Sequence, residues 1–437
     1  MNSRVFVQFF FLAAVLLSLG SEAVRAEYAA GSTERVSVAS NGSQANGPST
    51  SPSISANGRF VTFVSEASNL VSGDTNHLPD IFVHDRLSHT TERVNIANNG
   101  RQANDKTLEP SISGDGRFVA FYSLATNLVS GDANGSPDVF VHDRQTRITK
   151  RISVSSDGTP GNGTSCAIST NGRFVVFSSS ASMVPGDMNQ TPDIYIHDLK
   201  TGSIERVNTV GDPEPYPNPY NDPWNPIVSP DGHFVVFSSA FWPVAGLVVR
   251  DRLAGILQPV QPTCPQDLNW DCAWLRAKSI TSDGRYVAFY NEVGGLGVYV
   301  YDRQEGITEN LAVTLDGSWE YHKSGYASGS SDMRFVAFHS WSSSLVFGDT
   351  NDHTDVFVRD RITRKTALVS LSDGGAQGSG DSFAPSISAN GRFVTFVSDA
   401  DDLVRRDTNR QPDIFVRDRG REISLTVGLL YLPLVVR

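Results

Sequence analysis

One short pattern, close to Asn or Asp-Gly-Arg-Phe and followed by alternating apolar residues, recurs seven times in this chain of 437 residues, four times unchanged and three times with one substitution (His233, Tyr286 or Met333). The copies begin at Asn57, Asp115, Asn171, Asp231, Asp283, Asp332 and Asn390, and are spaced 58, 56, 60, 52, 49 and 58 residues apart. Such regularity points to one repeat domain using most of the chain rather than to two or three unrelated domains.

A complete copy predicts the repeating unit. Pro110-Ser111-Ile112-Ser113 reads as a short strand, and Asp115-Gly116 as a tight turn in which Gly supplies a positive φ. Phe118 to Tyr122 alternates and is rich in β-formers, Asp138 to His142 gives a third strand, and Ile148 to Val154 a fourth. A single sheet of four short strands cannot bury both faces, but neighbouring copies can bury them for each other. The expectation is therefore an all-β, seven-bladed β-propeller of four-stranded antiparallel blades, over residues 27–427. Two segments compete to complete the last blade. Glu34 to Val38 precedes the first full copy and resembles a fourth strand, and so does Glu422 to Val427.

Residues 1–26 read as a signal peptide, with Arg4 ahead of the apolar Val5 to Leu19 and Val24-Arg25-Ala26 as a cleavage site. The mature protein is expected outside the cytoplasm, secreted, periplasmic or surface-associated. Its apolar stretches, including the tail at 428–437, are too short to span a bilayer. Cys264 and Cys272 in an irregular insertion suit either a loop-stapling disulfide or two free thiols. Cys166 suits a small buried position. The formal charge is -11 and no basic run is present, which argues against nucleic acid as a partner.

Five copies carry Asp-x-Asn-x-x-x-Asp between the second and third strands. They are Asp74, Asn76 and Asp80; Asp132, Asn134 and Asp138; Asp187, Asn189 and Asp193; Asp349, Asn351 and Asp355; and Asp407, Asn409 and Asp413. Three oxygen-bearing side chains on one curled loop suit a hard cation, so one reading is structural Ca2+. The other is a metal-free turn in which the Asp and Asn side chains cap backbone N–H groups. A second repeated acid closes each third strand, from Asp85 to Asp418, and suits turn capping with a ladder of salt bridges.

No nucleophile elbow, metalloprotease helix or phosphate-binding loop is present. Up-and-down topology puts the long second-to-third loops and the inter-blade loops on one face. That long-loop face is where a protein or glycan partner is expected, on a monomer acting as a binding or scaffold module. The alternative is a secreted hydrolase or lyase acting on polysaccharide through carboxylates in the channel.

The consensus PSISxxGRFVxFxS…DIFVxDR resembles the WD40-like (PD40) repeat of TolB-type propellers over residues 33–427. The resemblance implies that the short SIS strand lines the channel. It sets Ser55, Ser113, Ser169, Ser229, Thr281, Ser330 and Ser388 at matching positions near the inner strands. It also implies a life in the periplasm among envelope proteins.

Overall fold

The computed structural model describes residues 31–187, 191–208, 224–239, 246–260, 275–291, 297–319 and 324–420. The leader, Asn189, Cys264, Cys272, Glu422 to Val427 and the tail lie outside these residues. Within them the chain is all-β, with 28 strands in seven four-stranded antiparallel sheets. No helix among the described residues is long and apolar enough to cross a membrane.

The sheets are the blades of a propeller. Blades are numbered 1 to 7 from the inner strands Ser49–Ile54, Thr107–Ile112, Thr164–Ile168, Trp224–Val228, Leu275–Ile280, Ser324–Gly329 and Ser382–Ile387. These strands touch their neighbours in a closed cycle around a central channel. Each second and third strand is almost wholly buried, because a blade between two others has no solvent face. Stacked ring pairs such as Phe63–Phe82 and Phe121–Phe140 bridge these two strands. The cores are shared between blades. One joins Val61 and Phe63 of blade 1 to Val397 and Ile414 of blade 7.

The N-terminal segment closes the ring. Ser32–Arg35 pairs antiparallel with Asp413–Asp418, in register from Ser32 opposite Asp418 to Arg35 opposite Phe415. It is the outermost strand of blade 7, so the sheet order there runs from the first described strand into the last three described strands.

The repeated signature works at the short turns. Ser55 Oγ accepts from the N–H of Phe60 at 2.9 Å and donates to Asn57 Oδ1 at 3.0 Å. The same arrangement recurs at Ser113, Ser169, Ser229, Thr281, Ser330 and Ser388. Gly58 is required twice over. Its φ is 75°, and a Cβ there would run into the ring of Phe393 in the preceding blade. The Arg after this glycine holds the Asp that ends the third strand, as in Arg59 to Asp85 at 2.6 and 2.8 Å. That Asp also caps the following turn, accepting from Leu87 N.

The Arg after the third-strand Asp joins blades. Arg144 of blade 2 lies 4.4 Å over Phe60 of blade 1, pairs with Glu92 of blade 1 at 2.6 Å, and donates to Gly116 O of its own turn. The inner strands begin earlier than the sequence suggested. The strand expected from Pro110 runs from Thr107, because an extra residue at Glu109-Pro110 is absorbed as a β-bulge.

Candidate functional site

Two features stand out from the repeating frame: the acidic turns on the long-loop face and the lining of the channel.

In four blades the paired carboxylates of the acidic turn close on a guanidinium from the outermost strand. Arg93 Nη1 lies 3.1 Å from Asp74 and 2.8 Å from Asp80. Arg151 lies 3.3 Å from Asp132 and 3.5 Å from Asp138. Arg206 reaches Asp187 at 3.0 Å and Asp193 at 3.6 Å. Arg35 reaches Asp407 at 2.7 Å and Asp413 at 3.2 Å. All four arginines are nearly buried, and the β-ladder sets each opposite an aromatic residue of the third strand.

The rest of each set is built alike. One carboxylate oxygen of the strand Asp accepts from a side chain of the outer region, as from Asn95 to Asp80 at 2.6 Å or Ser37 to Asp413 at 2.5 Å. The other oxygen faces the guanidinium. The turn Asn shapes the loop. Asn134 Oδ1 accepts from Ser136 N at 3.1 Å, while its amide donates to Asp138 at 3.0 Å. Asn76 and Asn409 do the same. In blades 1, 2 and 7 the two expected carboxylates are therefore brought together around an internal cation, while the Asn oxygen turns to its own loop and its amide nitrogen faces the strand Asp. In blade 3 the same holds for Asp187 and Asp193.

Blade 6 differs. Its outermost strand, Lys365–Leu368, places Leu368 opposite Phe357, where blades 1, 2, 3 and 7 have Arg. Asp349 Oδ1 accepts from Gln377 at 3.2 Å, and Asn351 Nδ2 donates to Gly378 O at 3.1 Å. Burial raises both carboxyls. Asp355 is pushed to about 6, against the pull of hydrogen bonding from Ser370 and Asn351. Among the described residues no three His, Cys, Asp or Glu side chains converge on one point, so a metal here would draw on amide and carbonyl oxygens as well.

The channel is lined by the bulge of each inner strand. These place Ser51, Glu109, Ser165, Asn225, Tyr326 and Ala384 at φ near +50°, and the shifted register in blade 5 falls at Lys278. Lys278 Nζ lies 4.6 Å over the Tyr326 ring, which stacks on Tyr290 at 5.4 Å. Burial raises the Glu109 carboxyl, and Lys278 and Arg276 of blade 5 pull it back down. The Tyr122 hydroxyl beside it is pushed up to about 12 by burial and by Glu109. Cys166 is buried nearby, with its thiol raised by burial. Sequence reasoning did not reach this group, because bulge positions interrupt the alternation that marks inward residues.

Of the tryptophans, Trp319 is 51% and Trp341 49% exposed, and Phe347 is 96% exposed. The hairpin leaving blade 5, with Leu315 and Trp319, meets the blade 6 loop that carries Trp341 and Phe347, through Leu315 N to Ser344 O at 3.0 Å. Both segments belong to the long-loop face.

No family model and no curated protein matches this chain. Solved structures do. Oligogalacturonate lyase from Vibrio parahaemolyticus aligns with 84% of this chain and 88% of its own, at 14% identity and a TM-score of 0.48. TolB from Acinetobacter baumannii aligns over 85% of this chain and 63% of its own, at 16% identity and 0.37. An acylaminoacyl peptidase aligns over 85% of this chain and 51% of its own, at 12% identity and 0.50. At these identities the likeness is one of fold alone.

Proposed function

We propose that this protein is an exported, non-catalytic propeller that binds protein or glycan on its long-loop face. One observation carries the reading. Where blades 5 and 6 meet, Trp319, Trp341, Phe347 and Leu315 present large apolar surfaces to solvent on adjoining loops. Aromatic side chains on loops anchored in a rigid sheet framework suit protein contacts and the apolar faces of sugar rings alike. The exposed large apolar residues at the turns of the opposite face, Leu87, Ile148, Leu253, Ile256, Ile307 and Ile362, are spread over five blades and include no aromatic ring.

The test is a screen of the purified protein on a glycan array and against extracytoplasmic proteins, repeated with Trp319→Ala and Trp341→Ala. Binding reduced tenfold or more, at unchanged melting temperature, supports the reading. Binding that is indifferent to both substitutions overturns it.

A second reading rests on the channel. Glu109, open to the channel yet with its carboxyl raised by the protein crowded around it, and with Lys278 and Arg276 opposite, has the makings of a general acid beside cationic groups that suit an acidic polysaccharide. Incubation with uronate-containing polysaccharides would decide it. Product formation abolished by Glu109→Gln supports a hydrolase or lyase, and no product sets it aside.

A further inference from the structure

Blade 6 keeps the two carboxylates of the acidic turn but not the cation that the other blades build in. We propose that Asp349 and Asp355 bind a divalent cation, calcium, at the place where blades 1, 2, 3 and 7 hold an arginine.

Internal symmetry supplies the geometry. In blades 1, 2, 3 and 7 the strand Asp uses Oδ1 for a side-chain hydrogen bond and turns Oδ2 to the guanidinium. Asp355 is held in the same way: Ser370 Oγ donates to its Oδ1, and Ser370 Oγ in turn accepts from Val356 N at 3.1 Å. Its Oδ2 is thereby aimed where Arg93 Nη1 lies in blade 1. Asp355 is 0% exposed, and no hydrogen bond of good geometry reaches that Oδ2, although the Asn351 amide lies near the carboxylate. No ion pair among the described residues reaches Asp349 or Asp355. Leu368, opposite Phe357, packs into the apolar core and contributes no charge.

An ionised carboxylate pair away from water needs a compensating charge. Four blades meet that need with arginine. The donors in the fifth are two carboxylates, with backbone carbonyls and water to complete the shell. That is an oxygen-only set, suited to calcium rather than to zinc or copper. Magnesium, which gives up its water reluctantly, fits a buried pair less well.

The location gives the site a consequence. The same loop carries Trp341 and Phe347, and Trp341 Nε1 donates to Asp352 O at 3.2 Å, inside the acidic turn. A cation between Asp349 and Asp355 would pin the base of that loop. The proposal itself does not depend on what the long-loop face binds.

The test uses the whole purified chain, stripped with chelator and titrated with calcium chloride by calorimetry and thermal melting. Wild type should release heat and melt several degrees higher in millimolar calcium, with a smaller rise in magnesium. Leu368→Arg should fold, melt at or above the stripped wild type, and lose the calcium response, because it supplies the guanidinium used elsewhere. Asp355→Asn and Asp349→Asn should each weaken the response at least tenfold, and they carry the comparison if Leu368→Arg does not fold. Wild type without a calcium response overturns the proposal. So does a response that survives all three substitutions, which would place the ion elsewhere.

Discussion

The guanidinium of Arg86 in blade 1 stacks 4.5 Å over the ring of Phe393 in blade 7, and its Nε pairs with Glu34 of the strand that completes blade 7. Three groups from two ends of the chain thus meet at one side chain. The same triad recurs as Arg144 with Phe60 and Glu92, Arg252 with Phe174 and Glu205, and Arg361 with Tyr286 and Glu309. Truncating Arg144 to Ala should lower stability by about 2 kcal/mol, combining a charged hydrogen bond with a cation–π contact. Arg144→Lys should recover less than half, since an ammonium cannot stack and bind in two directions at once. Urea unfolding of the two variants checks both statements.

One seam lacks the triad on both sides. Blade 3 has Leu199 in place of the arginine, and blade 2 has Lys150 where blade 1 has Glu92. The turn there is also the looser one, with a Cβ built on Gly172 still 3.0 Å from the Phe118 ring. The double substitution Lys150→Glu with Leu199→Arg should therefore raise the melting temperature. Leu199→Arg alone, set opposite Lys150, should not. Thermal melts of the single and double variants separate the two outcomes, with the coupling between sites as the quantity of interest.

The arginine clamps of the long-loop face should be sensitive positions. Arg93→Leu leaves Asp74 and Asp80 buried without their counter-charge, and a loss of about 3–5 kcal/mol is expected from breaking such a pair on one side. Leu368→Arg should show no comparable loss. Denaturant titration of both variants in chelator is the measurement.

Acid should destabilise the molecule in two stages. His84 and His142 are buried in third strands, and burial holds both near pH 4, below the ordinary value of 6.5. The native state thus refuses a proton that the unfolded chain accepts. Their contribution is full above about pH 6.5 and lost as pH falls toward 4, at most about 3 kcal/mol each. Asp193, raised by burial to about 6, acts in the opposite sense between 6 and 4. Below pH 4 the depressed carboxylates follow. Asp143, held near 2 by Arg117, loses its contribution as it protonates. His142→Gln should flatten the decline between pH 6.5 and 4.5 relative to wild type, and Asp143→Asn the decline below 4. Unfolding free energies measured across that range check both slopes.

Much of this frame can be read from the repeat. Asn57-Gly58-Arg59-Phe60 names its own turn, its ion pair and its packing surface, because each depends on residues close in sequence or repeated at fixed spacing. The acidic turns were legible as oxygen sets, yet their arginines were not. Arg93 lies 19 residues after Asp74, and only the β-ladder reveals that it returns to it. Leu368 carried the same information about blade 6, visible once the outer strands are aligned by register. Glu109 and Lys278 escaped for another reason. They face each other across the channel from blades 2 and 5, a relation set by ring closure and not by any local pattern.

Closure by Ser32–Arg35 imposes an order in time. A chain made from its N-terminus produces this strand before any other described strand, yet its ladder partner among the described residues, Asp413–Asp418, is made after all of them. Six blades can assemble from neighbouring segments while the first strand waits, so the final latch is the step of longest range and is expected to be the slowest. Until it engages, Asp407 and Asp413 also wait for Arg35, and the edge of blade 7 remains open to strands from other molecules. The ring's weakest moment is thus the interval between finishing synthesis and snapping shut.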